Sequence, residues 1–370
     1  MSLLLAKMKK VSTIKESSSL ETSTFFDNYD DSPCSVVALN IALSGTIKGG
    51  LRRGLTTING ESRMFKSLIA LIQVAAYMKK HPDSVCLFYD SEFGAGKKYF
   101  ESLGIDTSRV LHTPVEDIEF LIHDIMQQID ALEKTDKVVI FVDSIGGLGS
   151  RKEATDALAG NDVSDMSRAK RLKSMSRLLP VRLVKKDIPM IAINHVYVEQ
   201  KMYGKTIISG GQGILLASEV ALIITRSAEK EDKEVIGYNF NIKVEKSRWV
   251  KEGSKISLQV RFDGGVNIYS GLLELAYDGG FVTKPKQGWY HRVDKETGEI
   301  LGNDYKEVDT NCEEFMRPLI DSPAFQQYIV DTFQLSHGNL LSEIPLEEIE
   351  ELERDIAEDV STPKPKKAKK

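Results

Sequence analysis

The chain has 370 residues, 41% hydrophobic and 28% charged, with a formal net charge of −5. These are globular values that exclude a collagen-like or largely disordered chain, and the length suits roughly two or three domains of about 100–200 residues. Cys34, Cys86 and Cys312 are odd in number and far apart, which excludes a disulfide framework or cysteine zinc site and fits a reducing cytosol. The longest mostly apolar run, Ser67 to Met78, falls short of the roughly 18 residues a membrane helix needs, and Leu3–Leu5 is too short for a secretory apolar region, so the expected location is cytoplasmic, with no membrane contact.

Along the chain, Leu4, Met8 and Val11 recur at helical spacing in an N-terminal arm. Ser44 to Gly50 reads as a loop ahead of a core. Apolar strands are then expected at Leu55–Asn59, Ser84–Tyr89, Val110–His112, Val138–Val142, Met190–Asn194 and Val220–Thr225. Helical patterns fall at Lys66–Lys80, Lys97–Leu103, Val115–Glu133 and Ser167–Val184, the last interrupted by Pro180. Alternating strands and helices imply right-handed crossovers and an α/β fold with a mostly parallel central sheet. Tyr238–Lys246 and Ile256–Phe262 are expected to extend it as an antiparallel edge. After Ile268 the pattern becomes α+β, a small C-terminal domain reaching about Leu335. Glu343 to Asp359 then holds nine acids and one base, and Thr362 to Lys370 adds five lysines, an acidic then basic tail expected to be flexible. The division is thus an arm at 1–30, a core at 31–267, a small domain at 268–335 and a tail at 336–370. Between Met166 and Lys186 stand eight bases and no acid, either a phosphate-binding surface or a solvated helix face.

The segment LTTINGESRMFKSLIALIQ carries the most chemistry. A strand ends at Gly60, a loop of Glu61, Ser62, Arg63, Met64 and Phe65 follows, and Lys66-Ser67 opens a helix. In a phosphate-binding loop the backbone N–H groups cradle phosphates at a helix N-terminus, the lysine reaches the β/γ-phosphates and the hydroxyl holds Mg²⁺. Phe65 stands where that pattern wants a second glycine, and a phenylalanine there restricts the backbone and crowds the nucleotide. Two further carboxylates complete the pattern. Asp143, in KVVIFVDS, ends a buried strand and is placed to hold the water shell of Mg²⁺. Glu92, in VCLFYDSEFG, follows another strand end and is placed to orient and deprotonate an attacking water. Asp90 beside it reads as structural.

With the strings GESRMFKS, CLFYDSEFG, KKYFESLGID, VVIFVDS, IAINH and VNIYSGLLELAYDGGFVTKPKQGWY, the chain resembles the RecA family of strand-exchange recombinases, and within it the UvsX-like branch of large tailed bacteriophages, from about Met1 to Leu335. That branch also carries Phe before the lysine. The resemblance implies a RecA-like P-loop ATPase core with ATP and Mg²⁺ as cofactors. Lys66, Ser67, Glu92 and Asp143 take the roles just described. It further implies adenine stacking on Tyr99, a γ-phosphate sensor at His195, and Lys246 and Arg248, in VEKSR, projected onto a neighbouring subunit's phosphates. Two loops, at about Gly149 to Ser164 and Tyr197 to Gln212, are assigned by the resemblance to single-stranded DNA. The second offers Lys201 and Lys205 for phosphates, Met202 and Tyr203 as apolar wedges, and Gly204, Gly210 and Gly211 for close approach; about 16 residues without clear structure suggest function.

The implied function is an ATP-dependent recombinase that forms a helical filament on single-stranded DNA and exchanges strands with duplex DNA, in the host bacterial cytoplasm. A single-strand-binding protein and a recombination mediator are implied partners. The helical arm is expected to dock on the next protomer, and Lys284, Lys286, Trp289 and Arg292 to meet duplex DNA. Two rivals stay open on the residues alone: a ring-forming helicase or motor with the same core, and a non-hydrolysing ATP-binding scaffold.

Overall fold

A computed structural model describes residues 2–23, 29–160, 167–198 and 206–335. The elements begin with α1 (Leu3–Val11), α2 (Val37–Ser44), β1 (Gly54–Gly60), α3 (Lys66–Lys80), β2 (Val85–Asp90), α4 (Lys97–Ser102), β3 (Val110–Pro114) and α5 (Ile118–Ala131). There follow β4 (Val138–Asp143), α6 (Arg151–Leu158), α7 (Ser167–Lys185), β5 (Pro189–Asn194), β6 (Val196–Val198), β7 (Thr206–Ile208), α8 (Gln212–Ala217), β8 (Val220–Glu231), β9 (Glu234–Ser247), β10 (Lys255–Arg261) and β11 (Gly265–Val266). The described chain ends with α9 (Leu272–Asp278), β12 (Val282–Lys286), β13 (Trp289–Val293), β14 (Ile300–Lys306), α10 (Glu313–Asp321) and α11 (Pro323–Phe333).

One nine-stranded sheet runs β11-β10-β9-β8-β1-β5-β4-β2-β3. From β3 to β8 the pairs are parallel, and β8 to β11 continue antiparallel. The central strands are buried on both faces, which is why they read as unbroken apolar runs. Their side chains divide by alternation: Ile58, Phe88, Phe141 and Ile191 enter one core, while Leu55, Leu87, Ile140 and Met190 enter the other. The first core is covered by α2 and α3 and continues into α9, α10 and α11 through Leu272, Phe281, Phe315 and Phe325. The second is covered by α5 and α7. A separate sheet, β12-β13-β14, is antiparallel.

Three expectations need correction. Pro180 does not interrupt α7, because Leu172, Met175, Leu179 and Leu183 form one buried stripe that anchors the helix on both sides of the proline. The segment after Gly149 is not all loop: Arg151–Leu158 is helical, started by a capping box between Ser150 and Glu153. The segment from Tyr197 is not structureless either, since β6 and β7 pair antiparallel, with Tyr197 opposite Ile207. In α1 every residue of the arm lacks burial, and Leu3, Leu4, Met8 and Val11 are exposed. The tail at 336–370 lies outside the described residues.

Candidate active site

The site forms at the carboxyl-terminal edge of the parallel strands. β1 ends at Gly60, where an added Cβ would lie 2.9 Å from the Ile224 carbonyl oxygen. The loop to α3 turns through Arg63 and Phe65, both at positive φ (63° and 53°). For Phe65 that conformation costs about 1–2 kcal/mol. Its ring is half-buried against the core, edge-on to Phe240 with centroids 5.3 Å apart. The ring thus packs on the core side of the loop. The aromatic row continues from Phe240 to Tyr238 and the exposed Phe262.

Lys66 is buried, and its Nζ donates to the carbonyls of Gly60 (3.0 Å) and Glu61 (2.6 Å). Burial lowers its pKa, opposed by the charges of Glu92, Asp143 and Glu61. Ser67 Oγ donates to Asp143 Oδ2 at 2.7 Å. Asp143 is 2% exposed. Burial pushes its carboxyl up to about 6, against the Ser67 hydrogen bond and with the charges of Glu92 and Asp90. Asp143 Oδ1 is buried without a hydrogen-bond partner. A buried carboxylate oxygen without a donor, next to a serine hydroxyl and a lysine folded onto carbonyls, fits a hydrated Mg²⁺ and a polyphosphate. Among the described residues no three His, Cys, Asp or Glu side chains gather as a metal cluster.

Glu92 follows β2. Its Oε1 accepts from Ser144 Oγ at 2.5 Å and lies 3.1 Å from His195 Nε2. The His195 hydrogen bond, joined by Ser144 and the charges of His195 and Lys66, holds its carboxyl at about 2 against the opposing effect of burial. Asp90 fixes the turn by accepting the backbone N–H groups of Glu92 (3.0 Å) and Phe93 (2.7 Å), so its structural reading agrees with the geometry. His195 follows β5 and fits because residue 146 is glycine: a Cβ there would meet His195 Cδ2 at 2.3 Å and its backbone nitrogen at 2.9 Å. Asn194 Nδ2 donates to Ser209 O at 2.8 Å and Ser209 N–H to His195 O at 2.9 Å, pinning the exit of the β6–β7 hairpin to the His195 strand.

Tyr99 is half-buried on α4 and packs on the core. Burial raises its hydroxyl to about 12, with a contribution from the charge of Asp143. Glu61, Ser62, Arg63 and Met64 line the loop between Gly60 and Phe65. Lys246 and Arg248 are elsewhere. Lys246 Nζ donates to the carbonyls of Leu216 (2.5 Å) and Ser218 (2.7 Å), and Arg248 pairs with Glu219 at 2.6 Å. Glu219 lies against Gly54, at the opposite end of β1 from Gly60. Six residue steps of strand separate those ends, about 20 Å at ~3.3 Å per step. The structure thus brings Lys66, Ser67, Glu92, Asp143 and His195 together and keeps Lys246 and Arg248 away from them.

Lys201, Met202, Tyr203, Gly204 and Lys205 lie outside the described residues. Gly210 and Gly211 have positive φ, and a Cβ at Gly210 would meet Leu172 at 2.9 Å and Ile214 at 3.0 Å, so Gly210 lets the chain pass close to α7 and α8. On α7, Lys170, Lys173 and Arg177 are exposed, whereas Arg171 pairs with Glu119 and Arg182 with Asp130. Sequence reasoning missed Ser144 and Ser91. Ser91 N–H donates to Asp143 O at 2.8 Å, and Ser144 N–H to Ser91 Oγ at 3.0 Å. The available signal was a serine following the last aspartate of each of two neighbouring strands.

Comparison with known proteins gives the family. The RecA N-terminal domain family matches residues 19–267. The C-terminal domain family of the bacteriophage T4 recombination and repair protein matches residues 269–329. The chain is 44% identical to the recombination and repair protein of Enterobacteria phage T4, over 99% of this chain and 94% of that protein. The chain belongs to the RecA family. More distant RecA relatives include Protein RecA of Rhizobium leguminosarum bv. viciae, 27% identical over 71% of this chain and 73% of that protein. Protein RecA of Cereibacter sphaeroides is 26% identical over 82% of this chain and 83% of its own length. RecA-family membership implies a DNA-dependent ATPase that uses ATP with Mg²⁺, binds DNA and associates with itself. Among the described residues no helix is long and apolar enough to cross a membrane.

Proposed function

We propose that this chain is an ATP-dependent recombinase that polymerises on single-stranded DNA, hydrolyses ATP at the seam between protomers and pairs the bound strand with a homologous duplex. The observation that carries the reading is the Glu92–Ser144–His195 cluster set against Lys66, Ser67 and Asp143. Bound ATP with Mg²⁺ supplies the transferable phosphoryl group and part of its charge neutralisation. Lys66, whose Nζ now rests on two loop carbonyls, would hold the phosphate oxygens of that group, and Ser67 and Asp143 would hold its cation. Tyr99 offers a stacking face to the base.

Glu92 orients the attacking water. A carboxyl held at about 2 is a weak proton acceptor, and the first cause of that value is His195. When His195 Nε2 turns to donate to a phosphate oxygen, Glu92 loses that partner and becomes more basic. The same histidine adjoins the β6–β7 hairpin, so its movement shifts the segment carrying Lys201, Met202, Tyr203, Gly204 and Lys205 against DNA. The nucleotide favours the DNA-binding state only by its differential affinity for the two arrangements.

Lys246 and Arg248 act on the phosphates of the adjoining protomer. The arm at 1–30 docks on a neighbour, which generates a helical filament. The core spans 31–267 and the small domain 268–335, whose Lys284, Lys286, Trp289 and Arg292 meet duplex DNA. A single-strand-binding protein and a mediator load the filament, and the tail at 336–370 competes with DNA for basic surface. The helicase and scaffold readings give way, because the extensive likeness is to a phage recombination and repair protein and RecA-family membership implies a DNA-dependent ATPase. The test is ATP hydrolysis with and without single-stranded DNA, paired with electron microscopy using an ATP analogue. Stimulated hydrolysis and helical filaments are expected; rings, or no stimulation, overturn the reading.

A further inference from the structure

We infer that Arg168 is a positioning residue that clasps the turn after β4 and so ties α7 to Glu92. Its Nε donates to Leu148 O at 2.7 Å, and its Nη2 to Ile145 O at 3.2 Å and Gly146 O at 3.0 Å. Three carbonyls of one turn thus share one guanidinium. Ile145 and Leu148 are buried, and backbone carbonyls in such a place need donors. A planar fork supplies them from fixed directions, which a lysine ammonium does not.

The clasped turn holds the hydrolytic cluster from two sides. Ser144, at its head, donates to Glu92 Oε1. Gly146, in its middle, leaves no room beyond hydrogen between itself and His195, and Ile145 N–H donates to Ile193 O at 2.9 Å. Moving the first turn of α7 therefore moves the backbone that sets both partners of Glu92. A second link reinforces the first: Ser167 Oγ donates to Ser150 Oγ at 2.8 Å. Arg168 faces inward, whereas Lys170, Lys173 and Arg177 of the same helix are exposed. Phosphates bound by those three cations would load α7, and Arg168 passes the load to the turn. This inference rests on the reading of Glu92 as the hydrolytic carboxylate.

Arg168→Lys in the full chain tests it. Single-stranded-DNA-stimulated kcat should fall about tenfold or more, while KM for ATP and DNA affinity with an ATP analogue stay within about twofold. Unchanged kcat, or DNA affinity falling in step with kcat, overturns the inference. Arg168→Gln, which is shorter and has one amide donor group, should lose at least as much kcat, and a wild-type value again overturns the inference. In a double-mutant cycle with Ser144→Ala the losses in kcat should be far from additive, because both act on Glu92; additive losses overturn the route. Wild-type protein that shows no stimulation by DNA would instead overturn the proposed function.

Discussion

The hydroxyl of Ser67 donates to Asp143 Oδ2 at 2.7 Å, joining the head of α3 to the end of β4 and leaving Oδ1 of the same carboxylate buried and without a partner. Such a group is costly to the folded chain and useful to a cation. Asp143→Asn should abolish Mg²⁺-dependent hydrolysis and at the same time raise the thermal midpoint at neutral pH. Moving the carboxyl from 3.8 to about 6 corresponds to a penalty with a ceiling of about 3 kcal/mol. Calorimetry without nucleotide checks the gain; a lowered midpoint would contradict it.

The same carboxyl sets a pH dependence. A folded-state value raised above the unfolded one means that the native chain binds the proton more tightly. Its contribution to stability is fully present below about 4 and is lost as pH rises towards 6. Hydrolysis has the opposite sign, because only the ionised form attracts the cation. Activity should fall as pH drops through about 6, and higher Mg²⁺ should move that midpoint downwards. Rate–pH profiles at two Mg²⁺ concentrations decide the matter.

Gly146→Ala should displace His195, since the new methyl would lie 2.3 Å from its ring and 2.9 Å from its backbone nitrogen. Glu92 then becomes more basic, but the displaced imidazole no longer stands where it can donate to a phosphate oxygen, which the proposed mechanism requires. DNA-stimulated hydrolysis should fall by at least about tenfold, with nucleotide binding retained. Comparing kcat with the ADP dissociation constant checks this.

Lys66→Ala chains and Lys246→Ala/Arg248→Ala chains should each be inactive alone and partly active when mixed. A seam between the second chain's phosphate loop and the first chain's cations is intact on both sides. Mixtures as inactive as their components would show that the two cations do not act across the seam.

Phe65→Gly relieves about 1–2 kcal/mol of backbone strain and removes a half-buried ring whose burial contributes about 1–1.5 kcal/mol. The two nearly cancel, so stability should change by less than about 1 kcal/mol, with nucleotide binding preserved. Denaturant titration measures the first and nucleotide titration the second.

The parallel strands were legible because burial on both faces leaves an unbroken apolar string, as in Val138–Asp143. The boundaries of α3 also followed from periodicity, Lys66 to Lys80. α2 escaped notice because all eight of its residues are buried, so no polar face marks a helical period. Lys66, Ser67, Glu92 and Asp143 stood out because strand ends and a loop pattern flag them. Ser144 and Arg168 did not. Their roles come from partners distant in sequence or from backbone carbonyls, and neither leaves a spacing to read.

Lys66 stands at one rim of the sheet, and Lys246 and Arg248 stand towards the other. Under the role proposed for those two cations, a solitary copy carries two unmatched halves of a reaction centre facing away from each other. Turnover should then scale with crowding of copies on a shared template rather than with their number in solution. Dilution alone would silence the chemistry, and the last copy at one end of any array would hold its nucleotide uncut.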